Sequence, residues 1–184
     1  MTTPTRRSFF AFALALMVAL ASIAVAAPRR RSSDVINFRL RTTEGGEITS
    51  EMVRGEVVVL AFGASWLPLS RKQIEGVQKL ADQYAEQNLR VYWVSTESDS
   101  PKSKNYATDN QLRDFAKKHG LKVAVLRDPD GKFLKELRID QLPSIVILDR
   151  TGNVNVPIIG GLDPGGNLAD QLATRLEPLL NAGK

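Results

Sequence analysis

At 184 residues, with 43% hydrophobic and 24% charged residues, the chain has the composition of one globular domain plus a targeting segment, and nothing in it suggests a second domain. Its 25 basic and 20 acidic residues give a formal net charge of +5, and it contains no cysteine. The missing cysteines exclude thiol chemistry and thiolate metal centres outright.

Residues 1–26 read as a secretory signal peptide: Arg6 and Arg7 open it, an apolar stretch follows from Phe9 to Val25, and Ala24, Val25 and Ala26 form a small-x-small cleavage signal. An uncleaved membrane anchor is the alternative, although Ser22 interrupts the run. The Thr5-Arg6-Arg7-Ser8-Phe9-Phe10 phrase is similar to a twin-arginine signature, and a general secretory signal remains the other route. Both routes place the protein outside the cytoplasm, periplasmic or extracellular. Residues 27–34, with Arg29, Arg30 and Arg31, read as a basic flexible linker ahead of a domain spanning 35–184. These three arginines and the two of the leader account for the excess of basic residues, so from Ser32 onward the charges balance. No nucleic-acid face follows from the net charge, and membrane contact is confined to the signal or the linker.

The domain opens with residues 35–40, a turn through Gly45 and Gly46, and Ile48, which together predict an N-terminal hairpin. Residues 57–62 are an unbroken, β-branched apolar run, predicting a central strand buried on both faces. The chain then turns over 63–67. Pro68 suits the first turn of a helix, and Ile74, Val77, Ala81 and Tyr84 recur at helical spacing. A strand therefore hands over to a helix N-terminus, a common place for chemistry in α/β sheets because unpaired N–H groups point there.

The phrase FGASWLPLSRK resembles the active-site segment of thioredoxin-fold oxidoreductases, specifically the extracytoplasmic TlpA/ResA type, in which F-W-A-T-W-C-P-P-C-R-K is usual. Aligned on Trp66 and Arg71, the two cysteine positions of that family fall on Leu67 and Ser70. Thiol–disulfide exchange needs an attacking thiolate, so this chain cannot perform that family's reaction by itself. The resemblance covers roughly residues 35–180. It implies an α/β thioredoxin-like fold with a mixed central sheet, helices on both faces and the N-terminal hairpin.

Further along, residues 90–95 predict a second buried strand, 98–107 a polar and mobile loop, and 109–119 a helix stopped by Gly120. Residues 123–126 predict a short strand, 128–131 a turn, 132–137 a short helix and 145–148 an apolar strand. After a turn over 150–153, residues 154–159 predict an edge strand, since Pro157 cannot donate to a ladder. Leu168, Leu172, Leu176 and Leu179 line a final amphipathic helix that Pro178 is expected to end or bend.

Leu142-Pro143, followed by IVILDRTGNV, looks like the family's cis-proline element and its TFLIDRDGKI strand. In the family this bend lies opposite the redox loop and pairs with an extended substrate peptide. Trp66, Leu67, Pro68 and Leu69 on one loop and Leu142 and Pro143 on the other thus form a candidate apolar binding rim, unless Leu67 and Leu69 fold inward and close it. Ser70 reads as a polar helix-start residue and not as a nucleophile, because His119, the one histidine, stands at the far end of another helix. With one histidine and Met52 the one methionine beyond the leader, no metal set is available; Asp128 and Asp130 belong to a turn. No glycine-rich cradle has phosphate-binding spacing, so no cofactor is expected.

Three functions remain. The first is an exported, redox-inactive protein that binds an extended segment of a partner protein through the former active-site groove. The second is an accessory member of a thiol–disulfide or cytochrome-maturation system whose partner supplies the thiols, as the resemblance implies. The third is a stable exported domain with no surviving site. The sequence sets no oligomeric state.

Overall fold

The computed structural model of the chain describes residues 35–154, 158–160 and 167–182. The expected leader and linker, and Pro157, lie outside them. In chain order the elements are β1 (Arg39–Thr42), β2 (Glu47–Thr49), β3 (Val57–Gly63), α1 (Pro68–Gln83), β4 (Leu89–Ser95), α2 (Asp109–Lys118), β5 (Val125–Arg127), α3 (Lys132–Glu136), β6 (Ser144–Leu148), β7 (Ile159–Gly160) and α4 (Leu168–Asn181).

The strands form one mixed sheet in the order β2-β1-β5-β4-β3-β6-β7. β3 pairs in parallel with β4, from Val57 opposite Leu89 to Gly63 opposite Ser95, and antiparallel with β6, from Val58 opposite Leu148 to Phe62 opposite Ser144. All seven residues of β3 are buried, because its two faces feed two different cores. Val57, Val59 and Ala61 pack with Ile74, Val77 and Leu80 of α1, Leu112 of α2, and Leu172 and Leu176 of α4. Val58, Leu60 and Phe62 pack on the other face with Ile36, Phe38 and Leu40 and with Phe133 of α3. Burying each large side chain of this kind contributes about 1.5–3 kcal/mol, so the sheet is fixed mainly by this two-sided cover.

Several expected bounds move. The hairpin strand begins at Arg39 rather than at residue 35: Ile36 and Phe38 are buried, but residues 35–38 form no ladder, only an isolated bridge of Val35 with Asn153, a bond from Ile36 N to Gly152 O and one from Ser50 N to Phe38 O. β5 starts two residues later than expected and includes Arg127, whose buried guanidinium has its own partners. β7 covers only Ile159 and Gly160 of the described residues, and it does lie at the sheet edge. Pro178 does not end α4, which runs on to Asn181; Ala182 still donates to the carbonyl of Pro178. The proline sits in the last turn on the exposed side, where one missing donor costs little. Residues 98–107 form a tied turn and not a loose loop: Ser98 donates to Asn105 O at 2.6 Å, and Ala107 donates to Ser98 O at 3.0 Å.

Candidate functional site

The β3–β4 register brings the ends of two strands to one place. Gly63 closes β3 opposite Ser95, so the turn after β3 meets the turn after β4. Gly63 itself is demanded by crowding: a Cβ there would stand 2.8 Å from Ser70 Oγ and 3.0 Å from Trp93 Nε1.

α1 begins immediately beyond. Leu67 is its N-cap in an extended conformation and offers no side-chain cap, while Pro68 occupies the first turn. Ser70 is fully buried and its Oγ accepts from the main-chain N–H of Ala64 at 3.2 Å. The hydroxyl therefore ties the turn to the helix, and among the described residues no base bonds to it. His119 caps α2 instead, its ring 4.7 Å from that of Phe115.

Ser65 points to β4. Its main-chain N–H donates to Glu97 Oε2 at 3.1 Å and its Oγ to Glu97 Oε1 at 2.6 Å. Ser95 Oγ adds a third bond to Oε2 at 3.0 Å, and Glu97 is only 2% exposed. Beside it, Trp66 is 56% exposed, and its Nε1 donates to Asn105 Oδ1 at 2.6 Å. Asn105 Nδ2 in turn holds Thr96 O at 3.1 Å. Arg71 Nε reaches back to Ser65 O at 3.2 Å. A cavity of about 500 Å³ opens here, lined by Ser65, Trp66, Glu97, Lys104, Tyr106 and Gln111 among others.

Arg127 braces this side from below. One Nη donates to both Glu97 O and Ala107 O at 3.0 Å, and the other meets Asp109 Oδ1 at 2.8 Å. Arg41 binds the same carboxylate, with Nη1 to Oδ2 at 2.7 Å. Burial pushes the Arg127 pKa below its ordinary value, with Arg41 adding to the effect and Asp109, Asp99 and Glu97 opposing it. The two arginines sharing one aspartate fix the ends of the turn that carries Asn105 and Tyr106.

On the other side of β3, the antiparallel pairing of Phe62 with Ser144 sets the start of β6 level with the start of the site loop. Gln73, one turn into α1, donates from Nε2 to Ser144 O at 3.4 Å and links the two. The Leu142–Pro143 bond is cis.

Residues 32–156 match the AhpC/TSA family. The chain belongs to that family. Among curated relatives it is 26% identical over 124 residues to the thiol-disulfide oxidoreductase ResA of Bacillus anthracis, a match covering 67% of this chain and 66% of that protein. It is 25% identical over 125 residues to sporulation thiol-disulfide oxidoreductase A of Bacillus subtilis, covering 67% of this chain and 70% of the relative. The fold is that of a Chlorobium tepidum chain assigned as thiol:disulfide interchange protein DsbE, with a TM-score of 0.67, 20% identity, and coverage of 80% and 95% of the two chains. The architecture is accordingly thioredoxin-like, and the ResA-type resemblance of the FGASWLPLSRK segment agrees with it. The chain spans 66% of the length of the ResA proteins of Bacillus species that it matches.

The resemblance of FGASWLPLSRK to the ResA-type segment implies that the two cysteine positions fall on Leu67 and Ser70, and the chain contains no cysteine. Of the rim residues expected from sequence, Trp66, Pro68 and Leu69 are exposed, the last at 49%. Leu67 is half-buried, neither open nor folded away. Leu142 and Pro143 are also half-buried, and Leu142 packs against the second core, so it is less a surface residue than expected. Of these rim residues, Trp66 lines the cavity, while Leu67, Pro68, Leu69, Leu142 and Pro143 are not among its lining residues. Glu97, Ser65, Asn105 and Tyr106 were not singled out by the sequence reading. Their one local signal was an acidic residue just past the end of a buried strand, at the end of the sheet where α/β proteins place their ligands. Among the described residues no group of acidic residues and histidines is arranged to hold a metal.

Proposed function

We propose that the chain is an exported, redox-inactive member of the AhpC/TSA family that holds an extended segment of a partner protein on its former active-site surface. The observation that carries this reading is the exposure of Trp66 and Leu69 on either side of a redox position now occupied by Leu67. A surface that has lost its nucleophile and still presents an indole and a leucine to water retains the means to bind apolar side chains. The start of β6 is already paired on both sides, with Phe62 and with Gly160, so an extended segment docked here would find its main-chain partners in the cis Leu142–Pro143 bend just ahead of it. Export rests on the Arg6-Arg7 leader and its cleavage signal.

The test is an array of immobilised extended peptides probed with the purified mature chain. Discrete binders, with affinity reduced at least about tenfold by Trp66→Ser plus Leu69→Ser, are expected if two apolar anchors are lost. An array without binders, or binding indifferent to the double substitution, overturns the reading.

Similarity to ResA and to a DsbE chain favours a second reading, an accessory role beside a thiol oxidoreductase that supplies the cysteines. That role requires the chain to change the rate at which a separate dithiol reductase acts on its substrate. Rates that are identical with and without the chain count against it.

A further inference from the structure

Glu97 is a buried carboxylate that makes no ion pair among the described residues, although the charge of the nearby Arg127 guanidinium attracts it without pairing with it. It receives Ser65 N, Ser65 Oγ and Ser95 Oγ, all neutral donors, and it is 2% exposed. The ion pairs of the described residues engage Glu47, Asp99, Asp109, Glu56 and Asp130, and none engages Glu97. Arg127 donates to the main-chain carbonyl of Glu97 and not to its carboxylate. Carboxylates withdrawn from water normally pair with a cation, because hydrogen bonds from neutral donors spread the charge without cancelling it.

Glu97 also lines the cavity that holds Trp66 and Tyr106, both exposed aromatic residues. The indole of Trp66 is fixed at its edge by the bond to Asn105, so it needs little reordering to receive a ligand. Aromatic faces attract cations, most strongly beside a partly desolvated anion. Oε1 of Glu97 accepts one bond from Ser65 and keeps acceptor capacity for another donor. Lys104 lines the same cavity; it is exposed and makes no ion pair with Glu97.

We propose that this cavity seats a cationic side chain, the ammonium of a lysine or the guanidinium of an arginine, supplied by the docked segment, with Glu97 as its counterion and Trp66 and Tyr106 as its walls. The proposal rests on the docking reading above and adds the chemistry of one position in the partner. It makes the partner segment basic at that position and apolar beside it, where Leu69 is exposed.

The experiment titrates the mature chain with Nα-acetyl-lysine methylamide and with its uncharged counterpart Nα-acetyl-norleucine methylamide, followed by tryptophan fluorescence. Trp93 is fully buried, so the change reports on Trp66. Saturable binding of the lysine compound is expected, about tenfold tighter than that of the norleucine compound, as a charge-assisted hydrogen bond supplies. Glu97→Gln should remove that preference, Tyr106→Ala should weaken lysine binding about threefold, and Lys104→Met, which removes a competing cation from the cavity wall, should tighten it. Equal binding of the two compounds overturns the proposal, as does an unchanged preference in a folded Glu97→Gln variant. If Glu97→Gln does not fold, Tyr106→Ala decides, and unaltered lysine binding in that variant overturns the proposal. Array peptides carried as lysine and norleucine pairs separate the two readings. Pairs that bind equally remove the cation seat and leave docking in place. Selective lysine-compound binding with no binding peptide removes docking and leaves the cation seat.

Discussion

Ser70, which the resemblance to the ResA-type segment aligns with its second cysteine, has a hydroxyl with a structural task. It is the third residue of α1, fully buried, and accepts the N–H of Ala64, which is itself 1% exposed. Removing the hydroxyl leaves that N–H buried and unpaired, and the turn after β3 loses its tie to the helix. Ser70→Ala is therefore expected to cost about 1–2 kcal/mol, measured as a lower denaturation midpoint at unchanged slope. A variant as stable as the parent would mean that water replaces the hydroxyl. The neighbouring apolar residues behave differently: Trp66 and Leu69 face solvent, so substitutions there should act on binding far more than on stability.

At the scale of elements, the turn between β6 and β7 is organised by one carboxylate. Asp149 Oδ1 accepts from Thr151 N at 2.8 Å, Thr151 Oγ1 at 2.6 Å and Asn153 N at 2.9 Å. Burial, the largest single influence, pushes its pKa up, but the bonds from Thr151 and Asn153 together outweigh it and hold the carboxyl below its ordinary value. A group depressed on folding stabilises the folded state above its unfolded pKa, near about 4, and that contribution is lost as pH falls through the lower folded value. Asp149→Asn should cost about 1 kcal/mol at neutral pH, and the difference from the parent should close as pH falls through the depressed folded pKa; a gap independent of pH would assign the effect to shape and not to charge. Elements of this kind differ in how legible they were. β3, β4, β6 and α1 followed from apolar runs and helical spacing, since burial on both faces leaves an unambiguous local pattern. Arg127 inside β5 did not, because a charged residue reads as a strand end until Asp109 and the main-chain carbonyls of Glu97 and Ala107 are known to meet it. Trp66 and Leu69 were legible as a rim. Glu97 and Asn105 were not, since they reach the site only through the parallel register of β3 and β4, and no local pattern encodes that register.

On the scale of the whole molecule, the question is whether the fold retains the machinery around an absent thiol pair. The unmodified chain should show no insulin-disulfide reduction above a dithiothreitol background, because no residue can form a mixed disulfide. Leu67→Cys combined with Ser70→Cys restores the pair in place. Leu67 is the N-cap and Ser70 the third residue of the same helix, so the two Cα atoms fall within the range of about 4.4–6.8 Å that disulfides use. The helix N-terminus should lower the pKa of the first thiol from about 8.5 toward about 7, giving a useful thiolate fraction at neutral pH. The second thiol would be buried as Ser70 is, leaving the first open to attack. The double variant is expected to form an intramolecular disulfide, seen as loss of free thiol in the folded protein, and to reduce insulin slowly. Failure to oxidise would show that Leu67 and Ser70 do not occupy the redox positions. Oxidation without activity on proteins would place the divergence in the surface around them, and would remove the main support for a docked peptide at Trp66 and Leu69.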